Sequence, residues 1–135
     1  VSARTAETGE SKLPGTLNDT VARVRKTGAD VMFIKADLAQ ASERERLIAK
    51  AQDAFGEIDI LINNAAITFF MPVPEFTEKR FKLMLEVQVY APFHLSQLVL
   101  PSMKARKSGW IVNISSPAGL HPKQPYVPSV RGGRV

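Results

Sequence analysis

Small polar residues occur at or just beyond the ends of three short apolar segments of this 135-residue sequence. The three stretches are Asp37-Leu38, Asn63-Asn64-Ala65-Ala66 and Asn113-Ile114-Ser115-Ser116. Ligands of open α/β sheets bind outside the carboxyl ends of the strands, so side chains at these points are candidates for ligand binding. Each also has a structural interpretation, since Asp37 can cap the following helix, the asparagines can form turns, and the serines can bond to backbone groups. For each stretch taken alone, both interpretations stay open. The occurrence of all three stretches in this order favours ligand binding.

The segments in front of these stretches have the composition of buried β-strands. Residues 58–62 read Ile-Asp-Ile-Leu-Ile, and residues 31–34 and 110–114 are similarly apolar. Such strands are typical of a parallel sheet that is covered on both faces. Residues 2–4 resemble the end of a further strand. The polar residues 5–15 and the proline-rich stretch after Ser116 are predicted to be loops.

Two of three predicted helices are marked by apolar residues at helical spacing and by recognisable ends. The first covers residues 16–26 and stops at Gly28, because glycine readily takes the left-handed backbone found after a helix. The third begins at Thr77 and continues to Leu98. Pro92 lies inside it, and we expect a bend or break there because proline has no N–H for the helical ladder.

The second helix is predicted to open at Ser42, since Ser42 and Glu45 have the spacing of a capping box, and to close at Gly56. Its buried face is expected to consist of four residues: Leu47, Ile48, Ala51 and Phe55. The alternation of strands and helices predicts right-handed βαβ units and a parallel sheet with helices on both faces. The fold class is therefore α/β, in one domain over residues 1–135.

Composition excludes several classes of protein. The absence of cysteine excludes disulfides and thiolate metal sites, and no apolar run is long enough to span a membrane. No signal peptide is recognisable, so a cytoplasmic location is expected. The net charge of +5 includes basic clusters at 104–107 and 131–134. We interpret these clusters as the solvated end of a helix and as a tail. A nucleic-acid-binding patch is the least favoured interpretation, because no aromatic residues interleave with the charges.

Several motifs together resemble the short-chain dehydrogenase/reductase family. The run Ile-Leu-Ile-Asn-Asn-Ala-Ala at 60–66 is similar to its Asn-Asn-Ala-Gly motif, and Trp-Ile-Val-Asn-Ile-Ser-Ser at 110–116 to the strand that ends on its catalytic serine. Ala36-Asp37-Leu38 matches the adenine-contacting aspartate, and Pro101-Ser102-Met103 matches a helix ending. The opening residues, with Lys-Leu-Pro-Gly-Thr at 12–16, resemble a hydroxysteroid dehydrogenase-like subgroup. All motifs stand in family order and near family spacing.

The resemblance implies a Rossmann-like doubly wound domain that binds a dinucleotide. Asp37 would bond to the adenine amino group and Leu38 would pack beside the ring. Three residues would pass beneath the adenosine ribose: Asn64, Ala65 and Ala66. Arg4 lies where the second family strand ends, and a basic residue there accommodates a 2′-phosphate. NADP is therefore favoured over NAD, although Arg4 also reads as an ordinary surface residue.

The resemblance also implies two residues on the catalytic side. Ser116 would hydrogen-bond to the oxygen of a small carbonyl or alcohol substrate and stabilise developing charge. Gln88 aligns with the family's helix asparagine, whose main chain holds a water of the proton relay. Gln88 departs from the family's asparagine, and because the kink uses main-chain groups, glutamine is compatible with it.

Two family motifs are not found in the sequence. The phosphate-binding turn Thr-Gly-x-x-x-Gly-x-Gly is missing, and Thr8-Gly9 is no substitute because no buried strand leads into it. The acid/base pair Tyr-x-x-x-Lys is also missing: Tyr126 has Val130 at i+4 and is flanked by prolines, so it is predicted to be a loop residue. The true pair is expected beyond Val135.

The sequence is therefore expected to be an internal fragment of an NAD(P)-dependent oxidoreductase, inactive by itself. The first strand of the family sheet and its C-terminal strands would be missing, which leaves a gap in the sheet where its central strand belongs. The alternative is a complete, non-catalytic relative that acts as a binding or assembly module.

Residues 69–71 (Phe-Phe-Met) are candidates for an apolar substrate wall, with packing onto the sheet as the favoured interpretation. Members of the family often form homo-oligomers through the long helix between Phe81 and Leu98, and the sequence does not separate that use from core packing.

Overall fold

The structure, a computed structural model, describes residues 1–4, 16–69 and 71–116. In these ranges helices and strands alternate, as predicted. The strands are β1 (Ser2–Ala3), β2 (Ile34–Lys35), β3 (Ile60–Asn63) and β4 (Trp110–Asn113). The α-helices are α1 (Leu17–Arg25), α2 (Ala41–Phe55), α3 (Glu78–Leu85) and α4 (Ala91–Arg106). A 3₁₀ turn covers Val73–Glu75, and a π-helical turn, Glu86–Tyr90, joins α3 to α4.

Helix α1 begins and ends close to the predicted positions. The Thr16 hydroxyl accepts from the Asp19 N–H at 3.0 Å, and the Asp19 carboxylate accepts from the Thr16 N–H, also at 3.0 Å. This reciprocal pair is a capping box, and it satisfies amides that the helix itself leaves unpaired. Gly28 lies beyond the last turn with φ +81°, a backbone conformation that favours glycine.

Helix α2 starts before the predicted capping residue, so the prediction for Ser42 is wrong. The N-cap is Gln40, which makes no side-chain cap bond, and Ser42 lies within the first turn. Asp37 performs the initiating role, because its carbonyl accepts from the Gln40 N–H at 3.0 Å in the preceding turn. Gly56 ends the helix as predicted, with φ +78°. Phe55, expected on the buried face, is exposed since it is the last helical residue.

The expected disruption near Pro92 is a π-helical turn. Here the Ala91 N–H donates to the Glu86 carbonyl, a five-residue separation. Pro92, in the first turn of α4, cannot donate to the carbonyl four residues earlier, and its ring crowds that carbonyl. The wider turn accommodates the crowding without ending the helix. Thr77 caps α3 as predicted, its hydroxyl accepting from the Arg80 N–H.

The strands form two separate parallel pairs. β1 pairs with β2, and β3 pairs with β4 with Ile60 opposite Trp110 and Asn63 opposite Asn113. The predicted sheet is therefore not continuous. It is interrupted between β1 and β3, where the strand order that the resemblance implies has another strand. β2 is also shorter than the predicted 31–34 segment and shifted toward Lys35, because its ladder extends only along Ser2 and Ala3.

The core lies between α2, α4 and one face of the β3–β4 pair. Its buried residues are Ile48, Leu95, Val99 and Met103, and Leu61 and Ile111 pack against them from the strands. The opposite face of the pair is open: Ile60, Ile62 and Trp110 are 56%, 60% and 61% exposed. Within the described part of the chain, the prediction of strands buried on both faces is thus wrong, because helices cover only one face.

The entry into β4 depends on a glycine. Lys107 ends α4 in the left-handed conformation, and the Ser108 N–H returns to the Met103 carbonyl at 3.1 Å. Gly109 follows with φ +156°, and a Cβ atom there would overlap the Met103 side chain. Glycine thus allows the backbone to pass directly over a core methionine.

Candidate functional site

Arg4 and Asp37 leave the same edge of the β1–β2 pair. Ala3 is opposite Lys35, and the Ala36 N–H donates to the Ala3 carbonyl at 3.1 Å. The next residue on each strand is therefore a candidate from the sequence: Arg4 is exposed just beyond β1, and Asp37 is half-buried beyond Ala36. A cation and a carboxylate thus stand at adjacent strand ends, where open α/β sheets bind ligands.

Asp37 also shapes the turn that contains Leu38. Its Oδ1 accepts from the Ala39 N–H at 3.1 Å, so its side chain stabilises the turn before α2 and does not cap the helix, whose N-cap is Gln40. Leu38 is half-buried and packs against the core cluster. A turn held in this way presents a preformed surface rather than a loose loop.

An ion pair on α2 borders this turn. Arg46 Nε donates to Glu43 Oε1 at 3.0 Å, and its Nη2 donates to the Lys35 carbonyl at 2.6 Å. The bond from Arg46, aided by its charge and by the Asp37 backbone N–H, holds the pKa of the Glu43 carboxyl below its ordinary value, against a smaller opposing effect of desolvation. Glu43 therefore carries negative charge beside the Asp37 turn.

Arg44 is a residue beside the candidate site that the sequence interpretation did not identify. Among the described residues it is the one buried charged side chain, at 6% exposure. Its Nη1 donates to the Leu38 carbonyl at 2.7 Å, and its Nε donates to His94 Nδ1 at 3.1 Å. A signal was present: Arg44 lies four residues before Ile48, on the same helical face as the apolar stripe.

The ends of β3 and β4 are joined by their side chains. Asn63 Nδ2 donates to Asn113 Oδ1 at 2.9 Å, and the Ile114 N–H donates to the Asn63 carbonyl at 3.0 Å. Beyond this bridge lie two groups of exposed candidates: Asn64, Ala65 and Ala66 after β3, and Ser116 three residues after β4. Both groups therefore follow the carboxyl ends of strands in the β3–β4 pair.

Gln88 lies in the π-helical turn and its side chain is exposed. The turn interrupts the regular ladder at this point, which is the feature that the predicted main-chain role of this residue needs. Its role in a proton relay stays a prediction.

The apolar residues after β3 pack locally. Phe69 makes an edge-on contact with Phe76, with ring centroids 6.3 Å apart, and the Arg80 guanidinium lies 5.2 Å from the Phe69 centroid. Arg80 also donates to the Met71 sulfur at 3.0 Å. Phe70 lies outside the described residues. These contacts of Phe69 and Met71 are with Phe76 and Arg80 rather than with the strands, so packing onto the sheet stays a prediction.

The basic cluster at the end of α4 is partly engaged. Arg106 pairs with Asp59 at 2.5 Å and donates to the Ile58 carbonyl at 2.9 Å, which ties α4 to the start of β3. Thr8-Gly9, Tyr126 and the basic residues at 131–134 lie outside the described residues. Within the described ranges no group of three or more metal-binding side chains occurs, and no helix is long and apolar enough to cross a membrane.

Comparison with protein families gives a match over most of the chain. Residues 10–128 match the short chain dehydrogenase family model. An uncharacterized oxidoreductase of Thermotoga maritima is 37% identical over 102 residues, covering 76% of this chain and 40% of that protein. Hydroxysteroid dehydrogenase-like protein 2 of Xenopus laevis is 32% identical over 90% of this chain and 29% of its own length. The chain thus spans well under half the length of these relatives.

Solved structures agree with the sequence match. A metagenomic short-chain oxidoreductase in complex with NADP superposes with a TM-score of 0.77 and 27% identity, over 93% of this chain and 52% of that one. A short-chain dehydrogenase from Streptomyces avermitilis gives a TM-score of 0.73 with 30% identity, over 87% of this chain and 39% of that one. With the strand-end residues in place, these matches show that the chain belongs to the short-chain dehydrogenase/reductase family and has part of its Rossmann fold.

Proposed function

We propose that this sequence is the middle of an NAD(P)-dependent oxidoreductase that transfers hydride between nicotinamide and a small carbonyl or alcohol substrate. The observation that carries the proposal is the β1–β2 edge, where Arg4 and the Asp37 turn emerge side by side from paired strands. Family membership supports it, and so does the structural neighbour that was solved in complex with NADP.

The donor set at that edge fits an adenine nucleotide that carries a 2′-phosphate. The Asp37 carboxylate can accept from an exocyclic amine, and the turn beside it offers the apolar surface of Leu38. The exposed Arg4 guanidinium supplies a charge suited to a phosphate, which favours NADP over NAD. After β3 of the other strand pair, the chain at Asn64, Ala65 and Ala66 would lie beneath the adenosine ribose.

The substrate side is assigned to the β4 end. Ser116 would donate a hydrogen bond to the substrate oxygen, orienting it and stabilising the charge that develops there. The main chain at Gln88, in the π-helical turn, would hold a water that passes a proton. Bound nicotinamide would supply or accept the hydride.

The 135 residues by themselves are proposed to be inactive. The glycine-rich turn that would hold the pyrophosphate and the Tyr-x-x-x-Lys pair that would exchange the proton are both missing from the sequence. The chain spans 40% or less of the curated relatives described above, so these motifs are proposed to belong to adjoining parts of the same protein.

Reading the encoding DNA in both directions tests the proposal. We expect a Thr-Gly-x-x-x-Gly-x-Gly turn upstream and a Tyr-x-x-x-Lys pair downstream, and the extended protein should consume NADPH with a carbonyl substrate panel. Stop codons at both edges, together with a cooperative melt and no NADPH binding by the purified chain, would instead establish the non-catalytic alternative.

A further inference from the structure

A single guanidinium connects the Asp37 turn to the long helix. Arg44 extends from α2 and reaches three acceptors on three other parts of the chain. These are the Leu38 carbonyl at 2.7 Å, His94 Nδ1 at 3.1 Å and Glu86 Oε2 at 3.3 Å. The rigid fork of arginine allows several directed bonds at once, which an ammonium on a flexible stem cannot reproduce.

Of the three contacts, the one with the Leu38 carbonyl affects the geometry of the Asp37–Leu38 turn. Leu38 lies between Asp37, whose oxygens accept from the Ala39 and Gln40 amides, and the start of α2. By fixing this carbonyl, Arg44 fixes the orientation of the peptide that follows Leu38. Asp37 and the Leu38 side chain are then held relative to α2 and the core.

The other two contacts anchor Arg44. His94 Nδ1 accepts a hydrogen bond, so a neutral ring carries its proton on Nε2, which lies 3.8 Å from Glu45 Oε1. Glu86 opens the π-helical turn that contains Gln88. The Glu86 side chain is 41% exposed and that of His94 24%, so solvent screens the ion pair with Glu86 more than the bond to His94.

We propose that Arg44 is a positioning residue for the nucleotide: it holds the Leu38 carbonyl and keeps the Asp37–Leu38 turn in the shape that receives adenine. The inference rests on the proposed function. Arg44 touches neither the nucleotide nor the substrate in this role, and it also couples the nucleotide-side turn to the helix segment that carries Gln88.

The first test uses the chain as it is. Hydrogen exchange of the Ala39 and Gln40 amides is compared in wild type, Arg44→Met and Arg44→Lys, with the Val99 amide as the internal reference for global unfolding. Arg44→Met should speed exchange in the turn about tenfold relative to Val99, because a charged hydrogen bond to the turn is lost. Arg44→Lys should fall between the two. Lys50→Met, which removes an exposed charge from the same helix, is the control.

The His94 ring provides a spectroscopic readout that a loss of packing alone would not give. In wild type, nitrogen NMR should show the Nε2–H tautomer with a hydrogen-bonded Nδ1, and Arg44→Met should move the Nδ1 shift toward that of an unbonded acceptor nitrogen while Lys50→Met leaves it in place. Unchanged exchange in the turn of Arg44→Met, or an Nδ1–H tautomer in wild type, would overturn the proposed hold on the turn.

The second test uses the extended enzyme that contains this sequence. Arg44→Met should raise the KM for NADPH about tenfold with little change in kcat. An active enzyme whose KM is unchanged overturns the role of Arg44 alone. A wild-type enzyme that neither binds nor consumes NADPH overturns the proposed function, and the nucleotide role of Arg44 with it.

Discussion

The two strand pairs are held together in different ways. β3 and β4 pair along four residues each, rest on the core through Leu61 and Ile111, and are bridged at one end by Asn63 and Asn113. β1 and β2 pair along only two residues each, and the end of β2 and the turn after it are held by side-chain bonds from α2. The proposed substrate side therefore rests on a ladder and a core, whereas the proposed nucleotide side depends on a few arginine contacts.

The largest effect is expected where the core supports β3 and β4. Leu95→Ala should lower the free energy of unfolding by about 2–5 kcal/mol, since it removes buried methyl groups and leaves a cavity. Urea unfolding measures this. Leu100→Ala, on an exposed position of the same helix, is the control. Similar losses in both variants would contradict the assignment of the core.

On the substrate side, Ser116→Ala in the extended enzyme should reduce kcat about 10²-fold to 10³-fold, because one donor to the developing charge is removed. Steady-state kinetics with a carbonyl substrate measure the loss. Ser115→Ala is the matched control and should retain most activity. If the two variants behaved alike, the assignment of Ser116 would be wrong.

On the nucleotide side, Arg4→Ala should raise the KM for NADPH about tenfold and leave that for NADH nearly unchanged, because only NADPH carries the 2′-phosphate. Arg25→Ala, an exposed arginine at the end of α1, is the control. Equal effects on both cofactors would show that Arg4 does not read the phosphate.

The bridge between β3 and β4 should contribute less. Asn63→Ala is expected to cost about 0.5 kcal/mol of stability, since the bond is exposed and water replaces it in part. A double-mutant cycle with Asn113→Ala isolates the pair. A coupling energy indistinguishable from zero would mean that the ladder alone holds this edge.

The smallest expected effect is a pH dependence at Glu43. Its folded-state pKa is lowered, so its contribution to stability is fully present above the ordinary carboxyl value and is lost as pH falls below that value through the lowered one. NMR titration should show the lowered pKa in wild type and a return toward the ordinary value in Arg46→Met. An unaltered titration in that variant would exclude Arg46 as the main cause.

The order of elements and most of their ends could be predicted, because local chemistry determines them. Thr16 and Thr77 cap helices through their own hydroxyls, and Gly56 ends one through its own backbone. Ser42 has a similar local pattern, yet it does not cap α2. The turn at Asp37 starts the helix earlier, and such competition between neighbouring signals is not visible in either one alone.

Burial was harder to predict because it depends on what lies against each face. Ile60 and Ile62 have the composition of covered strand residues, yet the helices of the described chain pack on the other face. Arg44 shows the converse: it is a charged side chain that is buried, and its acceptors lie six, 42 and 50 residues away in the chain. Only the tertiary fold brings such partners together.

The π-helical turn before Pro92 also alters the phase of the long helix. One added residue rotates everything before it by about 100° about the axis relative to an unbroken α-helix. If the helix were unbroken, each residue would turn by about 100°, and Gln88 and Phe81 would then lie in the middle of the buried stripe of α4. Both residues are exposed instead. Closing the turn as a regular α-helix without removing a residue would swing Phe81 toward the core, whereas deleting one residue between 86 and 90 would remove the wide turn and leave Phe81 on its present side. The winding of this turn, more than the hydrophobicity of its residues, therefore decides which side of α3 meets the solvent.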